Sequence, residues 1–398
     1  MNAAFSSLLD RFNEPETLRM AKLGRELRAK GIDVIDLSLG EPDFDTPTHI
    51  KEAAKKAIDD NFSHYPPVAG FPDLRAAVCT KFERDNKLTY QPENIVVSTG
   101  AKQSLANVIF ALVDEEDEVI IPAPFWVTYS ELVKMARGTV VIMETSITKD
   151  FKITAAELEK AITPKTKLFL FSSPCNPSGS VYSKDELAAL AEVFVKHPNI
   201  LIISDEIYEY INFAGGHESI AQFADIKDRV IIVNGLSKGF AMTGYRLGYI
   251  AAEASIAKAC EKIQGQFTSG ANTIAQKAAV TALTTDLKPT LDMVVEFTNR
   301  RKRILELVKE IPGIICNEPA GAFYIFPDIS YYFGKSDGKE TISNAADFCM
   351  YLLNNAHVSS VMGDAFGNSA CARFSFANSM TNIEKAFARI KTALELLQ

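Results

Sequence analysis

A chain of 398 residues that is 47% hydrophobic and 23% charged can bury a substantial core and is long enough for roughly two or three domains. Its formal net charge of −8 offers no basic field for phosphate backbones or anionic lipid. No apolar run approaches the ~18–20 residues of a membrane-spanning helix, so the reading is a protein with no nucleic-acid and no membrane partner.

The opening stretch carries Asp10, Glu14 and Glu16 and lacks a basic region followed by an apolar run and a small-residue cleavage site, which reads as cytoplasmic. Residues 18–30 have helical spacing, with Gly31 as the C-terminal cap, and 34–40 follow as a short strand. From there to about residue 250, apolar β-rich runs at 95–99, 118–122, 140–144, 167–171, 200–204, 230–234 and 247–251 alternate with helical stretches. Several of these runs are uniformly apolar, as strands covered on both faces are. The expected fold class is therefore α/β, with a mostly parallel seven-stranded sheet between helices and ligands gathering beyond the C-terminal strand ends.

After about residue 285 the texture changes. A charged helical segment at 291–311 precedes strands near 320–329 and 372–377 and a final helix to Gln398, which together indicate a smaller α+β domain. The expected division is 1–47 as an N-terminal arm and part of the small domain, 48–285 as the large domain, and 286–398 as the C-terminal small domain. No linker-like tract separates them, so they are expected to share an interface.

Ser204-Asp205-Glu206-Ile207-Tyr208 follows one buried strand and Ser237-Lys238-Gly239 follows the next. A lone lysine after a strand is ordinarily a solvated charge, and a lone aspartate there a helix cap. Here the loop after Lys238 also carries Arg246, so an aldehyde and a phosphate could both be held. Ser98-Thr99-Gly100-Ala101-Lys102-Gln103 joins a strand to a helix beginning near Ala101, whose free N–H groups and dipole can receive a phosphate, with Gly100 permitting close approach. Arg373 lies inside a hydrophobic strand, a costly place for a cation that calls for an anion or a salt bridge. The six cysteines lack C-x-x-C spacing and the five histidines lack ligand spacing, giving no metal site.

These segments, S-D-E-I-Y and then N-G-L-S-K-G-F-A-M-T-G-Y-R-L-G, resemble the class I aminotransferases of pyridoxal 5'-phosphate (PLP) fold type I, most closely the bacterial aspartate aminotransferase branch. The resemblance continues through Gly40-Glu41-Pro42-Asp43-Phe44, Tyr65, Gly70, Leu74-Arg75, Trp126, Asn176-Pro177-Ser178-Gly179 and Arg373, over roughly residues 30–390. It implies that Lys238 carries PLP as a Schiff base and serves as general base at the substrate Cα. It implies that Asp205 keeps the pyridine nitrogen protonated, that Tyr208 and Asn176 bond the phenolic oxygen, and that Trp126 stacks on the ring. Gly100, Ala101, Lys102, Ser237 and Arg246 would surround the phosphate. Tyr65 would reach that phosphate from a neighbouring subunit, giving a homodimer with shared active sites. Arg373, with backbone near Gly40 and the Asn176 amide, would take the α-carboxylate. Amino acids and 2-oxo acids would be the substrates, by ping-pong kinetics.

Lys102 matches a lysine that faces the distal carboxylate of dicarboxylic substrates in the aspartate and prephenate branch, so aspartate:2-oxoglutarate transamination is the expected reaction. Thr17 and Arg11 are further pocket candidates, although Pro15 departs from the family's N-terminal pattern. Open alternatives are other donor specificities (aromatic, alanine or prephenate), a C–S β-lyase or aminocyclopropane-carboxylate synthase on the same scaffold, and a cofactor-sensing domain of a transcription regulator. No helix-turn-helix signal accompanies the last.

Overall fold

The computed structural model describes residues 5–398; residues 1–4, the first part of the expected N-terminal arm, lie outside the described residues. The first long helix, Glu16–Ala29, ends where the Lys30 N–H returns to Leu27 and Arg28 carbonyls and Gly31 takes a φ of 84°, the left-handed cap expected of it. The strand expected over 34–40 is shorter, only β1 (Ile35–Asp36). The Asp36 carboxylate captures the Ser38 N–H at 3.0 Å and the Ser38 hydroxyl at 2.6 Å, which turns the chain out of the extended form and sends Gly40 elsewhere.

Seven strands follow: β2 (Ile95–Ser98), β3 (Glu118–Pro122), β4 (Thr139–Met143), β5 (Thr166–Ser172), β6 (Leu201–Asp205), β7 (Val230–Gly235) and β8 (Gly248–Ala251). They form one sheet in the order β2-β8-β7-β6-β5-β3-β4, with only β8 antiparallel to its neighbours. Its two faces alternate along each strand. Ile120, Phe169, Ile202 and Ile232 pack into one core, and Val119, Leu168, Ile203 and Val233 into the other. Each such side chain contributes about 1.5–3 kcal/mol of apolar burial, which fixes the register because a one-residue slip would exchange the faces.

The remaining strands are β9 (Tyr324–Ile325), β10 (Val358–Ser359), β11 (Val361–Met362) and β12 (Ala372–Ser375). β1 pairs in parallel with β10, and β11-β12-β9 form a three-stranded antiparallel sheet. Met20 and Leu37 share a core with Phe297 of helix Lys288–Lys309, Tyr324 and Phe374, so the chain's first segment packs with its last third. Residues Ser172 of β5 and Asp205 of β6 stand opposite one another at the carboxyl edge of the large sheet, and Lys238 lies three residues beyond β7. The site therefore forms where this edge meets β9 and β12.

Candidate active site

A cavity of about 370 Å³ opens at that edge. Asp205 ends β6 nearly buried; its Oδ2 accepts a hydrogen bond from the Tyr129 hydroxyl at 2.6 Å and its Oδ1 accepts from the Ile207 N–H at 3.2 Å. Burial pushes the Asp205 carboxyl up to about 6, against the opposing pull of these two donors. Lys238 extends from the neighbouring loop, donates to the Gly40 carbonyl, and places its ammonium 5.7 Å from the Tyr208 ring centre. Burial, reinforced by the Arg373 charge, pushes Lys238 down to about 8, so a reactive free amine is available near neutral pH.

At the wall of the cavity, helix Ala101–Leu112 begins at Gly100, which has a φ of 81° and supplies no side-chain cap. Gln103 and Ser104 N–H groups bond the Gly100 carbonyl, while those of Ala101 and Lys102 have no acceptor among the described residues. A Cβ at Gly100 would lie 2.6 Å from Arg246 Nη2, so the guanidinium sits directly over the helix start. Arg246 is fixed by donation from Nη1 to the Thr243 carbonyl at 3.0 Å. Two free N–H groups, a helix dipole, a guanidinium and the adjacent Ser237 hydroxyl suit a dianionic phosphate.

Facing this, Arg373 of β12 is 2% exposed. Its Nη1 donates to Asn176 Oδ1 at 2.9 Å and its Nη2 to the Ser38 carbonyl at 2.6 Å, while its Nε has no partner among the described residues. Among the described residues no carboxylate pairs with it, and burial lowers its pKa. The guanidinium stacks 4.5 Å from the Tyr324 ring, whose hydroxyl lies 2.7 Å from that of Tyr208. A Cβ at Gly40 would approach Tyr324 Oη to 2.6 Å, so any side chain there would displace the tyrosine hydroxyl.

The pocket thus gathers Gly40, Ala101, Lys102, Trp126, Asn176, Asp205, Tyr208, Ser237, Lys238, Arg246 and Arg373. Lys102 holds its ammonium 5.0 Å from the Trp126 ring centre, and burial of its stem together with Arg246 lowers its pKa. Pro15 and Thr17 also line the cavity, whereas Arg11 does not. Tyr65 is 90% exposed and is not brought to the site of its own chain. Tyr129 and Tyr324 escaped the sequence reading. Tyr129 lies three residues after Trp126, one turn along the same segment, which is the signal that could have found it; Tyr324 sits in an apolar strand and carries none.

Histidine spacing also missed one cluster, in which ligand atoms of Glu206, Glu209 and His217 come within 4.8 Å of one another. It is already charge-compensated. Lys81 pairs with Glu209, and His217 lies 3.0 Å from Glu206, whose charge raises the imidazole against the opposing effect of burial.

A lysine with a lowered pKa, a buried carboxylate, a helix start beneath a guanidinium and a buried arginine meet at the edge of a mostly parallel sheet. Residues 32–390 match the family described as aminotransferase class I and II, and the chain belongs to that family, with the fold of the PLP-dependent fold type I transferases. It is 45% identical, over 95% of this chain and 80% of the other, to a bifunctional aspartate aminotransferase and glutamate/aspartate-prephenate aminotransferase of Petunia hybrida. It is 44% identical to an aspartate/prephenate aminotransferase of Nitrosomonas europaea, over 95% of this chain and 96% of the other. Among solved structures, the aspartate aminotransferase from Rhizobium meliloti superposes with a TM-score of 0.96 at 38% identity, covering 100% of each chain. No described helix is long and apolar enough to cross a membrane.

Proposed function

We propose that this aminotransferase uses pyridoxal 5'-phosphate to transfer the amino group of aspartate to 2-oxoglutarate by a ping-pong mechanism, with Lys238 as the cofactor-bearing residue. The observation that carries the reading is the convergence of Lys238, Asp205 and the unpaired Arg373 Nε in one cavity. The bound cofactor would supply an electron sink for the charge left at the substrate Cα. Asp205 would hold the proton on the ring nitrogen, and Ala101, Lys102, Ser237 and Arg246 would hold the phosphate. Trp126 would cover a ring face, and Tyr208 with Asn176 would bond the phenolic oxygen. Arg373 would orient the α-carboxylate with a planar fork, and the neutral Lys238 amine would take the proton from the substrate Cα.

Lys102 would meet the distal carboxylate of a dicarboxylic donor, and the pocket position of Thr17 supports a contact with the same group. The chain would work as a cytoplasmic homodimer in which the exposed Tyr65 completes the partner's phosphate site. Domain boundaries near residues 48 and 285 accompany this reading, with Met20 and Leu37 belonging to the smaller domain.

The test is Lys102→Gln. A lost contact to a charged group is worth about 1.5–3 kcal/mol, so kcat/KM for aspartate should fall by about ten- to a hundredfold while that for alanine stays within about threefold. Equal losses for both donors would remove Lys102 from distal-carboxylate recognition, and an unmodified protein that prefers alanine would remove aspartate.

A further inference from the structure

We propose that Tyr129 is a positioning residue for transamination, its hydroxyl holding the Asp205 carboxylate ionised and oriented toward a bound pyridine nitrogen. The inference rests on the reading of Asp205 given above and concerns how that residue is kept competent.

Asp205 is subject to opposing forces. It is 3% exposed and lies next in sequence to Glu206, so burial and a neighbouring negative charge both favour the protonated acid. A protonated Asp205 could no longer stabilise a proton on the ring. The groups that oppose this are the Lys238 charge, the Ile207 N–H on Oδ1 and the Tyr129 hydroxyl on Oδ2; the Tyr208 phenol is the other titratable group facing it. Of the two hydrogen-bond donors, Tyr129 makes the shorter contact, 2.6 Å against 3.2 Å.

The placement of Tyr129 also makes it a rigid donor. Its side chain is 1% exposed, its N–H bonds the Trp126 carbonyl at 2.9 Å, and its ring meets the Trp126 ring edge-on at 5.7 Å and 89°. The residue that would cover the cofactor and the one that orients Asp205 are therefore set by a single turn, at the start of helix Thr128–Met135. Burial keeps the phenol protonated, and so a donor, throughout the range in which Asp205 titrates. Ser172 and Cys175 border Tyr129 on its other side and bring no formal charge.

The experiment uses the holoenzyme loaded with cofactor labelled with ¹⁵N in the ring. The ring-nitrogen shift is followed against pH in the wild type and in Tyr129→Phe, alongside kcat, KM for aspartate, cofactor dissociation and thermal unfolding. Loss of a hydrogen bond to the ionised carboxylate favours a proton on Asp205 over one on the ring, so the ring-nitrogen signal near neutral pH should move measurably toward its unprotonated value and kcat should fall by about tenfold or more, with KM within about twofold. Replacing Tyr129 by 3,5-difluorotyrosine strengthens the donor and should move the ring-nitrogen signal toward its protonated value, which keeps the idea testable should the Phe variant fail to fold. A ring titration in Tyr129→Phe identical to wild type overturns the proposal whatever happens to kcat, because a packing role alone would leave that signal in place. A wild-type protein that binds no cofactor, or binds it with an unprotonated ring, instead overturns the reading of Asp205 on which the proposal stands.

Discussion

Replacing Arg373 with lysine keeps the positive charge but removes the fork. In the protein, Nη1 and Nη2 donate to Asn176 Oδ1 at 2.9 Å and the Ser38 carbonyl at 2.6 Å, and the guanidinium is buried with no carboxylate pairing it among the described residues. A substrate carboxylate would supply the missing anion and accept from the planar edge. A lysine ammonium can meet one carboxylate oxygen at a time and leaves at least one of the two protein acceptors without its donor. The loss is one charge-assisted hydrogen bond, about 1.5–3 kcal/mol, or about ten- to a hundredfold in kcat/KM for aspartate. The assay compares single-turnover deamination of aspartate with that of a simple alkyl amine lacking any carboxylate. The amine, which never used Arg373, should react at an unchanged rate. An equal loss for amine and amino acid would refute carboxylate recognition and return Arg373 to a structural role.

Other expectations follow from the same geometry. With Lys238 held at about 8, its free-amine fraction rises with pH, so capture of the cofactor by the cofactor-free protein should accelerate about tenfold per unit up to pH 8 and level above it, as read by stopped-flow absorbance. Because the folded pKa lies below that of the unfolded chain, the unfolded state binds more protons between about pH 8 and 10.5; cofactor-free stability should rise with pH across that window and lose this slope in Lys238→Met. Gly100→Ala puts a Cβ at a φ of 81° and 2.6 Å from Arg246 Nη2, and the left-handed backbone alone costs about 1–2 kcal/mol. Its cofactor dissociation constant should increase about tenfold or more by equilibrium dialysis, and an unchanged constant would remove the helix start from phosphate binding. Tyr65→Phe should weaken cofactor binding about tenfold in a protein that still sediments as a dimer; unaltered binding would contradict a phosphate contact across subunits.

The seven strands of the large sheet were legible because β-branched runs buried on both faces leave long apolar signatures, and their ends located Asp205 and Lys238. The helix ending at Gly31 was legible from its cap. The end of β1 was not, since Val34–Leu37 reads as an extended run and only the capture of Ser38 by the Asp36 side chain cuts it short. In the site, Lys238 and Asp205 were marked by their places just after buried strands, Arg373 by a charge set inside a hydrophobic strand, and Asn176 by the family resemblance. Tyr324 carries no such mark, because a tyrosine in an apolar strand looks like core until its hydroxyl is found beside Tyr208. Tyr129 acts through Asp205, 76 residues away in sequence, and only the folded chain joins them.

The most direct test of the central claim is a single-turnover half-reaction. The cofactor-loaded protein is mixed with aspartate in the absence of any oxo acid, and the visible band of the lysine-bound cofactor is followed together with product release. The account predicts loss of that band, one oxaloacetate released per Lys238 site, an aminated cofactor left on the protein, and recovery of the band on adding 2-oxoglutarate. Release of ammonia without an aminated cofactor, or the same turnover in Lys238→Ala, would contradict it.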